Sequence, residues 1–520
     1  MRPNRPVQLT FLVALAVLWR GLMLVHYKMI DTDAAYYGAI ARFFAEGHWG
    51  RGLDPIWPPF YPFLSSVPLR MGVSPEASGI AVSLLASAGC VVCCYFLAKA
   101  IAGSEVGLVA AVVAVIHPRL VIVSQSLLTE AVYLFLAGTS LAFFCHGFKS
   151  AWSGPGKRAW AGIFIAGLVL SLAFLTRPEA IVFFGLLVGL TAARSLLELR
   201  RRGRAAVRAL LVPLLLSAGF AAPALPYLYD VSGTEGRWII GEKGALNFYL
   251  TYRNAYEEER IQVQPSDYAA ITGAGEERKP GYYRVGEFIR QRPGLVLSRT
   301  LDNLPKALFN KIPSLMYWPL MLLAIAGIVY RRRVPRSKYE LLFGAWIVLL
   351  ALAISPLFLM RRFFAASLPV LIVWSAIGLE EFRYRLGRRV FNGSAAVAVV
   401  LICAYTSYSL ARRPWPVLYK KAGLWLGRNA AGPVVVTGRK PEVSFYARSE
   451  FRPLEVREIE RLETFLQQEG ITHLVVEDYI MPSTHPRLAY LIEPHEAPAW
   501  LEPVFSASKD GHRLVVYRYE

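Results

Sequence analysis

The chain has 520 residues, 55% of them hydrophobic and 18% charged, with a formal net charge of +20. Soluble proteins carry about 25% charged residues, and apolar runs of bilayer-spanning length, about 17–25 residues, recur here down to about residue 411; the composition excludes an ordinary soluble protein and describes a polytopic α-helical membrane protein. Nucleic acid is not the expected partner, because residues 412–520 hold 15 Lys and Arg against 14 Asp and Glu, the basic surplus sits in loops between apolar runs, and no groove-like array of basic and aromatic residues accompanies it.

The first apolar segment, Leu9 to Val25, follows Arg2 and Arg5 as the core of a signal peptide would. No small-residue cleavage site follows and further spans do, so it reads as an uncleaved first helix. Eleven helices are expected, near 9–27, 78–99, 105–121, 126–147, 160–176, 178–193, 209–229, 313–330, 340–359, 363–380 and 394–411. Loops on one side carry Arg2, Arg5, Lys149, Lys157, Arg158, "RSLLELRRRGRAAVR", "RRRVPRSK" and "RYRLGRR". Short loops on the other side are nearly free of basic residues. This asymmetry predicts a cytoplasmic N-terminus in a multi-pass plasma-membrane protein, with Asp31, Asp33, the loops 28–77 and 230–312, and the C-terminal tail on the outer face. Within the large loop, Val285, Phe288, Ile289, Val296, Leu297, Leu301 and Leu304 have the spacing of a helix lying along the membrane surface.

Arg20, late in the first helix, is expected to snorkel outward, with a contact to a substrate phosphate as the alternative. Cys90, Cys93, Cys94, Cys145 and Cys403 all fall in apolar spans, and Cys90-Val-Val-Cys93 lacks any redox-fold context, so they read as small buried hydrophobes. The domain boundary is expected at 411/412, with "ARRPWPVLY" as the hinge. Residues 412–520 read as a small extracytoplasmic α/β domain: "PVVVTG", "THLVVED" and "HRLVVYRYE" as strands, and "EIERLETFLQQEG" as an amphipathic helix ending at Gly470.

The stretch "KMIDTDAAYYGAIARFFAEGHW" places Asp31 and Asp33 at the outer mouth of the first helix. Tyr36, Tyr37, Ile40, Phe43 and Phe44 then follow with the rhythm of an amphipathic helix, for which one aspartate could serve as the N-cap. Further ionisable residues recur at the same level. They are Glu130 in "LLTEAVYLFL", Arg177 and Glu179 in "FLTRPEA", and Arg361 and Arg362 in "LMRRFFAASLP". Charged groups at the edge of a membrane are costly, so they mark functional candidates, with interfacial snorkelling or helix-to-helix ion pairing as the structural alternative. A carboxylate can take a proton from a hydroxyl acceptor, and arginines can grip a phosphate and stabilise it as a leaving group.

The same residues resemble a known family. "DTDAAYYGAIARFFAEGHW…WPPFYPFL" is similar to the first outer loop of GT-C-fold glycosyltransferases, among them the bacterial relatives of dolichyl-phosphate-mannose–protein mannosyltransferase and the lipid A aminoarabinose transferase. Aligned on Tyr37-Gly-Ala-Ile-Ala-Arg42, the family's catalytic aspartate falls on Asp33 and its second acid on Ala34, a departure for which Asp31 either substitutes or is incidental. "LLTEAVYLFL", "FLTRPEA", "GALNFYLTYRNAY", "RRFFAASLPVLIVWSAIGLE" and "VVVTGRKPEVSFYARSEFRPL" extend the likeness in the family's order over most of the chain.

The resemblance implies transfer of one sugar, with inversion, from a polyprenyl-phosphate donor to an acceptor on the outer face of the bacterial inner membrane. The acceptor could be a protein hydroxyl, lipid A, a lipopolysaccharide core or a wall polysaccharide. Asp33 is expected as the catalytic group, with Asp31 and Glu130 as further acids. Arg361, Arg362 and Lys243 are expected on the donor phosphate, and Tyr37, Tyr61, Arg177 and Glu179 around the substrate, with both tyrosines alternatively in the aromatic belt. The resemblance demands no particular cofactor and leaves metal dependence open; a divalent cation could bridge Asp33 and Glu130 with the donor phosphate. A lipid-linked glycan flippase or a glycan ligase or polymerase are the alternatives; the placement of the charges at span ends and the first-loop motif argue against them.

Overall fold

A computed structural model describes residues 4–151, 156–202, 209–234, 236–259, 283–331, 334–430 and 432–519. The expected loop 230–312 therefore lies partly outside the described residues. Among those residues, eight helices are long and apolar enough to cross a membrane, or up to ten if each of two bent pairs is one span. Tyr339–Ile354 is a further, shorter apolar helix.

Two expected spans are not straight. The segment expected at 105–121 is Ser104–Ile116 followed by Pro118–Ser124, bent by 54°. Proline has no N–H to continue the ladder and crowds the preceding turn, and His117 is extended there (φ −61°, ψ 119°). The carbonyls this break orphans are taken by Arg20, which donates to Ala114 O (3.0 Å) and Val115 O (3.4 Å), and through Nε to Ser87 Oγ (2.9 Å). Arg20 is fully buried, which overturns its snorkelling assignment: it is a brace for a broken helix. Ser87 in turn donates to Leu120 O (2.7 Å), so the short helix Pro118–Ser124 is fixed, and with it Arg119. The second bent pair is Pro293–Leu315 with Trp318–Val329, turned by 115°. Its helix Pro293–Lys306 buries none of its residues and exposes Leu295, Leu297 and Leu301.

The spans are placed by their ends. Ser74 caps Pro75–Ala102 by accepting from Ala77 N–H (3.3 Å), with Pro75 in the first turn. Arg5 pairs with Glu105 (3.0 Å), which sets the start of the chain level with the far end of that helix. The carboxylates at 31 and 33 thus lie at the opposite end of the first span, which runs Arg5–His26.

The C-terminal sheet has five strands, β1 (Val435–Gly438), β2 (Glu450–Pro453), β3 (His473–Glu477), β4 (Leu501–Lys509) and β5 (His512–Tyr519), in the order β2-β1-β3-β5-β4. β1 runs parallel to β2 and β3, and the crossovers that parallel pairing requires carry the helices Glu442–Ala447 and Ile459–Gln468. β3 is buried along its whole length, as its apolar run implies. The β4–β5 hairpin turns on Asp510-Gly511, both at positive φ (52° and 80°). β4 and β2 were not expected. β4 is an edge strand that is mostly exposed and interrupted at Pro503, so it lacks an alternating apolar signal. Met29, next to the first span, is buried in this domain's core with Leu418, Tyr419, Val443 and Val475, which ties the sheet to the membrane part.

Candidate active site

The helix Thr32–Glu46 carries the first candidates. Asp31 occupies its N-cap position, but its side chain makes no cap hydrogen bond. It pairs instead with Arg413 (2.7 Å). Asp33, in the first turn, accepts from Arg362 Nη1 (2.8 Å), a residue 329 positions away at the head of the segment Arg361–Ser367. Burial alone would raise the Asp33 pKa; the charges of Lys243 and Arg362 outweigh it and hold the carboxyl below its ordinary value of 3.8.

One turn further on, Tyr37 accepts from Lys243 Nζ (3.1 Å), and the same ammonium lies 4.0 Å from the Trp57 ring centroid. Tyr36 stacks on Trp57 (4.9 Å between centroids), which is itself positioned because Asp54 accepts from the Ile56 and Trp57 backbone N–H groups (2.7 Å each). Lys243 is therefore held by aromatic faces beside Asp33 and is not free to reach far. Arg177 forms the third group. It sits between Glu179 (2.8 Å) and Glu130 (3.6 Å) and approaches Thr129 (3.5 Å). Burial would raise the Glu179 pKa, but Arg177 overrides it and keeps the carboxyl below its ordinary value.

Two cavities meet at these residues. The larger, about 750 Å³, is lined by Asp31, Asp33, Glu130 and five arginines: Arg119, Arg361, Arg362, Arg412 and Arg413. Two of the five are paired, to Asp33 and Asp31. Arg119, Arg361 and Arg412 make no ion pair among the described residues, and the Nε atoms of Arg119 and Arg362 are buried without a hydrogen-bond partner. This is a space with spare, oriented guanidinium donors, which suits a phosphate. The smaller cavity, about 240 Å³, is lined by Tyr37, Thr129, Arg177, Glu179, Lys243 and Asn247, with Ile181, Val182, Ile354 and Leu357 as its apolar wall. Neighbouring residues face the two spaces: Asp33 and Tyr37, Glu130 and Thr129, Arg362 and Phe363.

Comparison with known proteins bears on the fold that carries this geometry. Residues 58–226 match the family model of dolichyl-phosphate-mannose-protein mannosyltransferase. ArnT from Cupriavidus metallidurans, solved bound to undecaprenyl phosphate, superposes with a TM-score of 0.60 at 15% identity over 98% of this chain and 97% of that one. The fold is that of the GT-C membrane glycosyltransferases. The oligosaccharyltransferase AglB from Archaeoglobus fulgidus, in complex with an inhibitory peptide and a dolichol-phosphate, shares this GT-C fold with a TM-score of 0.59 at 14% identity, over 98% of this chain and 74% of its own. The mycobacterial arabinofuranosyltransferase AftD gives 0.52 at 13% identity, over 100% of this chain and 42% of that one. No curated protein sequence matches the chain.

Within this GT-C frame, Asp33, Asp31, Glu130, Arg361 and Arg362 line one cavity, and Tyr37, Lys243, Arg177 and Glu179 the adjoining one. Tyr61 does not belong with them. It is fully buried, donates to Gly79 O (3.1 Å) and bonds Ser83 Oγ (3.2 Å), and lines neither cavity, so it is a packing residue and neither a pocket nor a belt residue. Tyr37 is also buried rather than in an aromatic belt. Asp33 and Glu130 line the same cavity and each faces a guanidinium, Arg362 at 2.8 Å and Arg177 at 3.6 Å; among the described residues no three or more His, Cys, Asp or Glu are grouped to hold a metal without a phosphate as a further ligand.

Sequence reading missed Arg119, Arg412 and Arg413, as well as a set of braces from the C-terminal region. Thr32 donates to the buried carboxylate of Glu442 (2.8 Å). Tyr446 accepts from Ile30 N–H (3.0 Å) and donates to Glu76 (2.7 Å), and Lys420 donates to Glu76 and to Lys28 O (3.0 and 3.1 Å). The Phe445 ring lies so close to Gly38 that a Cβ there would overlap it. Only the "ARRPW" arginine pair carried a local signal.

Proposed function

We propose that the chain transfers a single sugar from a polyprenyl-phosphate-linked donor to a hydroxyl acceptor at the outer surface of a bacterial inner membrane. The observation that carries this reading is the pairing of one partly exposed carboxylate, Asp33, with a cavity that holds more guanidinium groups than carboxylates. The outer-face assignment rests on the positive-inside asymmetry of the loops.

The donor phosphate binds in the larger cavity against Arg361, Arg362, Arg119 and Arg412. Asp33, kept ionised by Lys243 and Arg362, aligns the acceptor hydroxyl and takes its proton as the oxygen attacks the anomeric carbon from the face opposite the phosphate. The bond from that carbon to the phosphate oxygen breaks, its electron pair stays on the phosphate, and the second negative charge is neutralised by the arginines. The product is an inverted glycoside and a polyprenyl phosphate. Because the leaving group is weakly basic, no separate acid is needed. The smaller cavity, lined by Tyr37, Lys243 and Asn247 with an apolar wall, holds the acceptor group next to the helix that carries Asp33.

The test is to incubate purified protein with radiolabelled polyprenyl-phosphate sugars and membrane extracts. A labelled glycosidic product is expected. Translocation of the lipid across vesicles with no new glycosidic bond would replace this reading with that of a flippase.

A further inference from the structure

A third cavity, about 650 Å³, lies away from the site, between the helices Pro75–Ala102, Glu130–Ser150 and Lys157–Phe174. Val92, Phe135, Ala142, Phe143, Ala161 and Ile165 make it apolar. Its charged groups are gathered at one end, where Lys99 and Arg158 line it together with His146, whose Nδ1 bonds the Ala142 carbonyl (2.9 Å), and no carboxylate among the described residues lines it. The geometry holds these three close. Phe96 lies 5.6 Å from Lys99 Nζ and 6.2 Å, ring to ring, from His146. Arg158 precedes Ala159, whose carbonyl lies 3.1 Å from where a Gly147 Cβ would be, beside His146. Glycines at 147 and 162 let the two helices meet at this end. The sequence 146–160 contains no acidic residue that could neutralise the cluster.

A second observation points to a ligand. Thr139 lines the same slot, and its hydroxyl is buried with no hydrogen-bond partner among the described residues, not even the carbonyl one turn back that a helical threonine ordinarily uses. It lies seven residues from His146 on one helix, about 10 Å along the axis. That sets Thr139 deeper in the slot than a phosphate held by the cations, on the side of the lipid's esters and acyl chains. Lys99, His146 and Arg158 also lie on the same side as Arg5, where the positive-inside rule places the leaflet that is richest in anionic lipid.

We propose that this cleft is a binding site for one anionic glycerophospholipid, with its phosphate on Lys99 and Arg158, its ester groups directed toward Thr139, and an acyl chain along Phe135, Ala161 and Ile165. The site is independent of the sugar-transfer reading and stands whatever the donor is.

Native mass spectrometry of the full chain, released from mixed micelles with equal phosphatidylglycerol and phosphatidylcholine, tests it. The wild type retains one phosphatidylglycerol in preference. In Lys99→Gln/Arg158→Gln the preference falls by about fivefold per cation removed. Ala161→Phe, at a lipid-exposed position, fills the slot and lowers phosphatidylglycerol retention with the cations intact. An unchanged thermal midpoint in each variant excludes misfolding as the cause. Equal retention of the two lipids by the wild type, an undiminished preference in the double variant, or displacement of the lipid by millimolar inorganic phosphate would overturn the proposal.

Discussion

Two ion clusters stand at the same end of the spans and share ligand types, yet differ in kind. Arg177 is 9% exposed and is enclosed by Glu130 and Glu179, at 6% and 16%. Asp33 and Arg362 are 26% and 30% exposed and open on a cavity with three further arginines outside any described ion pair. The first cluster spends its one cation on two carboxylates and closes the turn between two spans. The second leaves cationic donors free and a carboxylate reachable. Groups whose partners can be exchanged for substrate suit chemistry, and the second cluster offers them, whereas the first lines the adjoining cavity with its charges already matched.

The comparison breaks most sharply at Arg177. Arg177→Leu strands two buried carboxylates and costs about 3–5 kcal/mol of stability, read as a lowered thermal midpoint in detergent; a variant as stable as wild type that loses only transfer would move the triad into the chemistry. Arg362→Gln, by contrast, leaves the midpoint unchanged and weakens polyprenyl-phosphate binding about thirtyfold, the loss of about 2 kcal/mol from one charged hydrogen bond, measured by titration. Gly38→Ala pushes a methyl into Phe445 and costs about 1–3 kcal/mol, and it slows transfer more than it weakens donor binding, because it tilts the helix bearing Asp33 and leaves the arginines in place. The smallest effect is that of pH. Asp33 is active when ionised and its pKa is lowered, so transfer stays flat from about pH 8 to about pH 5 and falls only as pH drops through that pKa, below 3.8. In Arg362→Gln a lowering charge is gone, and the acidic limb moves to higher pH.

Much of this was legible in the chain. Asp33 and Arg362 both stood out as candidates, because a charged group flanked by apolar sequence at a span end is conspicuous, and the structure brings the two together. The direct pairing across 329 positions was not legible, since local patterns carry no information on which span ends meet. Arg119 reads as one cation beside Pro118 in an apolar run; what sets it at the larger cavity is the break at His117 and the brace from Arg20, both tertiary. Tyr61 misled because "PPFYPF" has the same aromatic and proline character whether its tyrosine faces lipid, substrate or the Ser83 hydroxyl. The expected strands 435–438, 473–477 and 512–519 were visible as apolar runs, whereas β2 and β4 are short or exposed and take their form from pairing. Residues 442–446, the braces on the Asp33 helix, look like an ordinary surface turn until the fold sets them against Thr32 and Gly38.

The most direct test compares wild type with Asp33→Asn, measuring donor binding and sugar transfer on the same preparation. The account predicts that polyprenyl-phosphate binding persists while transfer falls by about 10²–10⁴-fold. Equal transfer by both proteins would contradict it and remove Asp33 from the reaction.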